Sequence, residues 1–167
     1  MNAIEEKAEQ VFAAMEQRCS EKDMLRIRDA FKMAEEAHRQ QRRKSGEPYI
    51  IHPISVALIA AKEMRLDANC VITAFLHDVV EDTDTTLEDI RLRFGDDVSF
   101  LVDVVTKKKK EHYDTTKQVD NYRQLLNSLH YDIRALMVKI ADRLHNMRTL
   151  ESMRADKQMK IAGETDA

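Results

Sequence analysis

Four side chains that can bind a metal ion occur along the sequence in a mixed set of two histidines and two aspartates. They are His52, the adjacent pair His77 and Asp78, and Asp142. Long apolar stretches separate them, so different structural elements must bring them together. Neutral imidazole nitrogens and carboxylate oxygens suit manganese, and iron or zinc would also bind such a set. The residue types therefore predict one nitrogen and oxygen site for a single divalent cation.

Each of these positions has polar neighbours of the kind that phosphate chemistry uses. They are Arg43, Lys44 and Ser45 before His52, Glu81 and Asp82 after His77 and Asp78, and Asn146 and Thr149 after Asp142. In a helix, Glu81 stacks one turn after His77 and Asp82 one turn after Asp78. The neighbours turn a possible cation site into a possible phosphohydrolase site.

Each part of this pattern also has an ordinary structural explanation. The pair His77 and Asp78 is also typical of an exposed helix end with solvated carboxylates. Asp142, Asn146 and Thr149, spaced four and three residues apart, also fit the polar boundary of an amphipathic helix. Polar groups after a strongly apolar helix are costly unless they are ligated or hydrogen-bonded. The combination, more than either segment alone, favours a metal site.

The composition predicts an all-α, single-domain helical bundle. Only three glycines and two prolines occur among 167 residues, and 43% of the residues are hydrophobic. Cys19 and Cys70 lie far apart, which argues against a disulfide framework and favours the reducing cytoplasm. No apolar run approaches the roughly 20 residues of a membrane span. A net charge of -3 gives no overall attraction to nucleic acid or to membrane surfaces.

Helical periodicity and capping residues divide the chain into a series of helices joined by short connections. We expect Ser20 and Asp67 to cap two of them, and Thr85 with Glu88 to form a capping box for a third. Pro53 suits the first turn of a helix, which places His52 at its N-terminus. The expected helices cover residues 4–19, 21–38, 53–64, 68–80, 86–95, 98–105, 116–129 and 132–153, with a polar loop at 41–48.

Three segments, at residues 43–53, 77–83 and 139–149, resemble the hydrolase domain of the RelA/SpoT homologue family. That family belongs to the HD superfamily of metal-dependent phosphohydrolases, and the resemblance covers nearly all of residues 1–167. It implies hydrolysis of the guanine nucleotide (p)ppGpp at its 3′ position, releasing pyrophosphate and leaving GDP or GTP. The cofactor it implies is usually one manganese ion.

Carried over position by position, the resemblance assigns a role to each residue named above. It makes His52, His77, Asp78 and Asp142 the metal ligands, and Glu81 and Asp82 the acidic pair associated with hydrolysis. It gives Arg43, Lys44, Ser45, Tyr49, Asn146 and Thr149 to the lining of the substrate site. All four ligand positions are intact, whereas the family also includes synthesis-specialised members with degenerate hydrolase domains.

Several alternatives stay open at this point. Small HD phosphohydrolases can act on NADPH, and a hydrolase domain can also bind nucleotide as a regulatory module without turnover. The chain is either a short hydrolase or part of a longer enzyme, and it has no room for a nucleotide-synthesising domain. His145 is either a side chain that contacts a metal ligand from behind, or a partly buried structural histidine. We expect His38, His112 and His130 at the surface or at its boundary.

Overall fold

The computed structural model describes the backbone of residues 2–110 and 133–165, and the side chains of 2–106 and 133–158. Within these ranges the chain is all-α, as predicted. An isolated antiparallel bridge joins Arg42 to Pro48, and no strand forms in the described residues. The helices are α1 (Ala3–Glu16), α2 (Glu21–Ala37), α3 (Ile51–Leu58), α4 (Ala68–Leu76), α5 (Val79–Asp82), α6 (Leu87–Phe94), α7 (Asp96–Lys110) and α8 (Ile133–Thr165), with a π-helical turn at Ile59–Glu63 after α3.

Helix α4 is the centre of the bundle. Its residues from Cys70 to Leu76 are all buried, and it packs against α2, α3, α7 and α8. The Phe75 ring lies 6.0 Å from the Phe31 ring of α2, which lies 6.0 Å from the Phe12 ring of α1. A helix that is apolar on every side must be enclosed in this way. The core therefore fixes the position of the C-terminal end of α4, where His77 and Asp78 follow.

Local capping explains where several helices begin. The side chains of Ser20 and Asp67 accept the backbone N–H of Asp23 and Cys70, so both predicted caps are confirmed. The capping box predicted at Thr85 is wrong by one residue, because Thr86 pairs with Asp89 instead. Two adjacent threonines offer the same local hydroxyl, and the sequence alone does not separate them.

Two predicted helices differ from the structure in ways that matter for the site. The predicted helix 68–80 is interrupted after Leu76, which leaves His77 and Asp78 between α4 and α5. The last helix does not end near Met153 but continues to Thr165. The predicted helix 116–129 lies outside the described residues, as do His112 and His130.

The turn after α3 is closed by hydrogen bonds from Arg18, which lies just after the end of α1. The Arg18 guanidinium donates hydrogen bonds to the carbonyls of Ala61, Arg65 and Leu66, and Arg65 adopts a positive φ of 54°. These bonds satisfy carbonyl groups that the end of a helix leaves without partners. They also fix α3, which carries His52, against the end of α1. None of the described helices is long and apolar enough to cross a membrane.

Candidate metal centre

The four predicted ligands converge in the interior of the bundle. His52 is in the first turn of α3, His77 and Asp78 follow α4, and Asp142 lies in α8. Each of the four residues is at most 2% exposed. The ligand atoms of His52, His77 and Asp78 lie within 4.8 Å of one another, as in a metal site. The structure thus places side chains from three separate parts of the sequence around one point.

Asp142 completes this group. Its Oδ1 lies 2.6 Å from Nε2 of His52 and 3.2 Å from Nε2 of His77. The Asp78 Oδ2 lies 3.3 Å from Nε2 of His77 and 3.9 Å from Nε2 of His52. Neighbouring ligand atoms around a cation with bonds of roughly 2.1 Å are about 3 Å apart. The spacing therefore fits four ligands of a single ion.

Hydrogen bonds on the far side of His77 show which of its nitrogens faces the site. Its Nδ1 lies 2.8 Å from the carbonyl oxygen of Ala74. A carbonyl oxygen only accepts hydrogen bonds, so Nδ1 must carry the proton and donate. The neutral ring then presents the Nε2 lone pair toward Asp142. This is the form in which an imidazole binds a metal ion.

His145 fixes the same form of His52. The Nδ1 atoms of the two rings are 2.7 Å apart, and the rings are stacked with centroids 4.9 Å apart. Arg43, which only donates, also approaches Nδ1 of His145 at 3.2 Å. That nitrogen is therefore the acceptor, and His52 must donate from its own Nδ1. Burial, reinforced by His52 and Arg43, lowers the pKa of His145 to about 3, which keeps its ring neutral.

Because both histidines carry their proton on Nδ1, each presents an Nε2 lone pair to a carboxylate that is itself negatively charged. The Nε2 lone pairs of His52 and His77 face the carboxylate oxygen of Asp142 across 2.6 and 3.2 Å. Two buried carboxylates beside two lone pairs require a positive charge between them. The donor set therefore fits a divalent cation.

Tyr49 holds the second carboxylate. Its hydroxyl donates a 2.7 Å hydrogen bond to Oδ2 of Asp78. Burial, with the nearby Asp78, raises the pKa of Tyr49, so the hydroxyl stays protonated and remains a donor. The resemblance gave Tyr49 to the substrate lining, and that role stays a prediction. The contact with Asp78 adds a second role, which the sequence does not reveal because it depends on how the loop meets α4.

His38 supports Tyr49 from behind. It was expected near the surface, but it is 1% exposed, and its ring lies 4.8 Å from the Tyr49 ring. Its Nδ1 contacts Oε1 of Gln41, whose backbone carbonyl accepts the N–H of Tyr49. The surface expectation for His38 is therefore wrong, because the turn after α2 folds over it.

The loop before α3 brings Arg43 to the site. Backbone hydrogen bonds close a tight turn between Arg43 and Glu47, and Gly46 within it has a φ of 89°, which favours glycine. Lys44 and Ser45 lie at the exposed tip, whereas Arg43 turns inward. Its guanidinium donates to Oδ1 of Asn146 at 3.0 Å and to His145. The loop is thereby joined to α8 beside the metal ligands.

The remaining predicted residues lie around this centre. Glu81 is half-buried and Asp82 exposed on α5, where the backbone N–H of Asp82 bonds to the carbonyl of Asp78 at 2.9 Å. This bond makes one helical turn between Asp78 and Asp82, as predicted.

Ser45 and Thr149 line one cavity of about 380 Å³ beside His145. Their roles in catalysis and in substrate binding stay predictions.

Comparisons with known proteins agree on a family. The sequence pattern of the HD domain matches residues 30–167. The chain is 46% identical over 147 residues to the bifunctional (p)ppGpp synthase/hydrolase SpoT of Escherichia coli K12, covering 87% of this chain and 21% of that protein. It is 44% identical over 163 residues to the guanosine-3′,5′-bis(diphosphate) 3′-pyrophosphohydrolase of Aquifex aeolicus, covering 98% and 22%. The chain thus spans about a fifth of the length of these relatives.

A solved structure is also similar. It is described as a metazoan ortholog of SpoT that hydrolyzes ppGpp and plays a role in starvation responses. The two share 37% sequence identity with a TM-score of 0.65, over 76% of this chain and 71% of that one. This similarity extends over most of both chains.

Proposed function

The chain belongs to the HD domain family, among the relatives of SpoT, and from this we propose that it is a metal-dependent hydrolase of (p)ppGpp. The reaction would remove the 3′-diphosphate as pyrophosphate and leave GDP or GTP. The observation that carries the proposal is the convergence of both Nε2 lone pairs on Oδ1 of Asp142, at 2.6 and 3.2 Å. Residues 1–167 would act as one hydrolase domain.

The proposed cofactor is one manganese ion held by His52, His77, Asp78 and Asp142. Two imidazoles and two carboxylates suit manganese, and four protein ligands leave positions for water and for a substrate oxygen. When bound, the ion would polarise the phosphoryl oxygen and lower the pKa of water. The protein's own contribution is to hold the four ligands in place, through His145 for His52 and through Tyr49 for Asp78.

Glu81 and Asp82 would orient the attacking water and accept its proton. They follow Asp78 by one helical turn on α5, and Asp82 is close enough to Tyr49 to raise its pKa, after burial and Asp78. A carboxylate near the water can orient it and accept a proton as its oxygen joins the phosphorus atom. The bond to the ribose 3′ oxygen then breaks, and that oxygen leaves with a proton.

Arg43 and Lys44 would offset the charge of the 3′-diphosphate. Arg43 is already held beside the metal ligands by Asn146 and His145, so little conformational freedom is lost when it meets a phosphate. Ser45 and Thr149 line the cavity beside His145, and Lys44 is exposed next to Ser45. The two free cysteines, Cys19 and Cys70, agree with a reducing compartment, and a cytoplasmic location is part of the proposal.

A product assay tests the proposal. The full chain with Mn²⁺ should release pyrophosphate from ppGpp, and orthophosphate release from NADPH should be far slower. Faster turnover of NADPH would assign the other nucleotide to the site. Binding of ppGpp without turnover in Mn²⁺ would make the domain a regulatory module.

Two variants separate metal binding from chemistry. Asp78→Ala should abolish turnover together with Mn²⁺ binding. Glu81→Gln combined with Asp82→Asn should keep Mn²⁺ binding and lower turnover by about 100-fold or more, the usual contribution of a positioned proton acceptor. Asp84→Asn, an exposed change just beyond α5, is the matched control. Wild-type turnover in the double variant would show that the acidic pair does not act on the water.

A further inference from the structure

A row of contacts connects the C-terminal end of α2 to the metal ligands. His38, directly after α2, is buried, and its ring lies 4.8 Å from the ring of Tyr49. Nδ1 of His38 contacts Oε1 of Gln41, and the backbone carbonyl of Gln41 accepts the N–H of Tyr49 at 2.9 Å. The Tyr49 hydroxyl donates to Oδ2 of Asp78 at 2.7 Å. His38 is therefore connected to a candidate ligand through one side chain, although the proposed reaction gives it no role.

The two nitrogens of the His38 ring have different surroundings. An amide oxygen only accepts hydrogen bonds, so Nδ1 carries a proton and donates it to Gln41. The other nitrogen, Nε2, is buried and has no hydrogen-bond partner among the described residues. A buried polar atom without a partner destabilises the folded state, and an apolar ring would fill the same space without that cost. Stability alone therefore does not explain a histidine at this position.

The hydrogen bond from Nδ1 fixes the first residue of the loop that carries Tyr49. Gln41 is held to the end of α2 twice, because its backbone N–H also donates to the carbonyl of His38 at 3.0 Å. The antiparallel bridge between Arg42 and Pro48 then closes the loop. Tyr49 is thus held by its backbone, through Gln41, and at its ring, through His38. The position of its hydroxyl depends on both contacts.

We propose that His38 is a positioning residue of the metal centre, which acts through Gln41 and Tyr49 on the carboxylate of Asp78. One histidine ring supplies two contacts at once, a face that packs against Tyr49 and a donor that holds Gln41. Tyr49 is thereby kept where its hydroxyl reaches Asp78. This inference rests on the metal site of the proposed function, but it requires neither the nucleotide nor the reaction.

Two substitutions remove the hydrogen bond from opposite sides. His38→Phe keeps a ring against Tyr49, and Gln41→Met keeps the length of a half-buried side chain. Calorimetric titration of the full chain with Mn²⁺, without nucleotide, should show each variant binding about three- to tenfold more weakly, which corresponds to one neutral hydrogen bond. The melting temperature of metal-free His38→Phe should stay close to that of the wild type, because the change also removes the buried Nε2.

The same titration in the Tyr49→Phe background separates positioning from a general loss of packing. If His38 acts through the Tyr49 hydroxyl, His38→Phe should weaken Mn²⁺ binding no further once that hydroxyl is absent. Asn69→Leu is the matched control, at the opposite end of α4 from His77. It removes a 2.7 Å hydrogen bond to Asp97 and a buried oxygen that also lacks a partner among the described residues. It should leave the Mn²⁺ affinity as in the wild type.

Equal losses of Mn²⁺ affinity in both backgrounds, or no loss in either His38→Phe or Gln41→Met, would overturn the positioning role. If His38→Phe does not fold, Gln41→Met in the two backgrounds decides. A wild type that shows the expected differences but leaves ppGpp intact would refute the reaction and keep the role of His38. A wild type that hydrolyses ppGpp, with the same Mn²⁺ affinity in all variants, would refute only that role. A wild type that binds no Mn²⁺ would refute both.

Discussion

Replacing Tyr49 by phenylalanine tests whether the hydroxyl on Asp78 serves the metal ion or the substrate. The change removes one oxygen atom, keeps the ring against His38, and leaves the fully buried Asp78 carboxylate without a 2.7 Å donor. A hydrogen bond to a charged group contributes roughly 1.5–3 kcal/mol, which corresponds to about 10- to 150-fold in an equilibrium constant. Losses of about 10- to 100-fold are usual when a group that orients a ligand is removed.

The expected result of Tyr49→Phe is therefore a 10- to 100-fold weaker affinity for Mn²⁺ in the absence of nucleotide. Calorimetric titration of the chelator-treated protein measures it directly. Ser55→Ala is a matched control, because it also removes a hydroxyl with a 2.7 Å hydrogen bond on α3, but one that is donated to the carbonyl of Ile51. Unchanged Mn²⁺ affinity with a raised KM for nucleotide would refute the positioning role and leave Tyr49 only in the substrate lining.

Three further predictions concern stability. Asp97→Asn should lower the free energy of unfolding by about 1 kcal/mol at pH 7, because Asp97 accepts two hydrogen bonds from Arg134 at 2.7 and 2.8 Å. These bonds hold the pKa of Asp97 below its usual range, so denaturant titrations should show the wild-type advantage intact above about pH 4 and shrinking as pH falls further. An equal advantage at pH 7 and at pH 2 would contradict this. Mn²⁺ at about 100 times its Kd should stabilise the wild type by roughly 2.7 kcal/mol and Asp142→Ala hardly at all, as thermal melts would show. Phe75→Ala should cost about 3–5 kcal/mol in the same melts, because Phe75 is fully buried at the centre of the core, and a loss below about 1 kcal/mol would be inconsistent with that packing.

Features that depend on neighbouring residues could be predicted from the sequence. The caps at Ser20 and Asp67 depend on a bond to a backbone N–H three residues away, and both are found. The spacing of Asp78 and Asp82 by one helical turn is likewise local. Convergence of the four ligand positions was expected from residue type and from the family resemblance, and the structure places those side chains together.

Features that depend on how distant elements meet could not be read from the sequence. The contact of His145 with His52 joins residues 93 positions apart, and that of Tyr49 with Asp78 joins residues 29 apart. Both require the crossing of helices and the direction of one loop. Burial of His38 follows from the turn that folds over it, whereas the residues that follow it in the sequence are polar. The break after Leu76 has no helix-breaking residue to signal it.

The position of α8 in the sequence sets the order in which the centre can form during synthesis. When His52, His77 and Asp78 have left the ribosome, Asp142 and His145 are still more than sixty residues behind His77. Without α8, the nascent chain lacks both the closing carboxylate and the acceptor that orients His52. Binding by all four ligands must therefore wait for α8 to dock, and such binding then stabilises the docked state by mass action. A chain that ends before α8 would accordingly lack the four-ligand centre, and ion binding would report that α8 has docked.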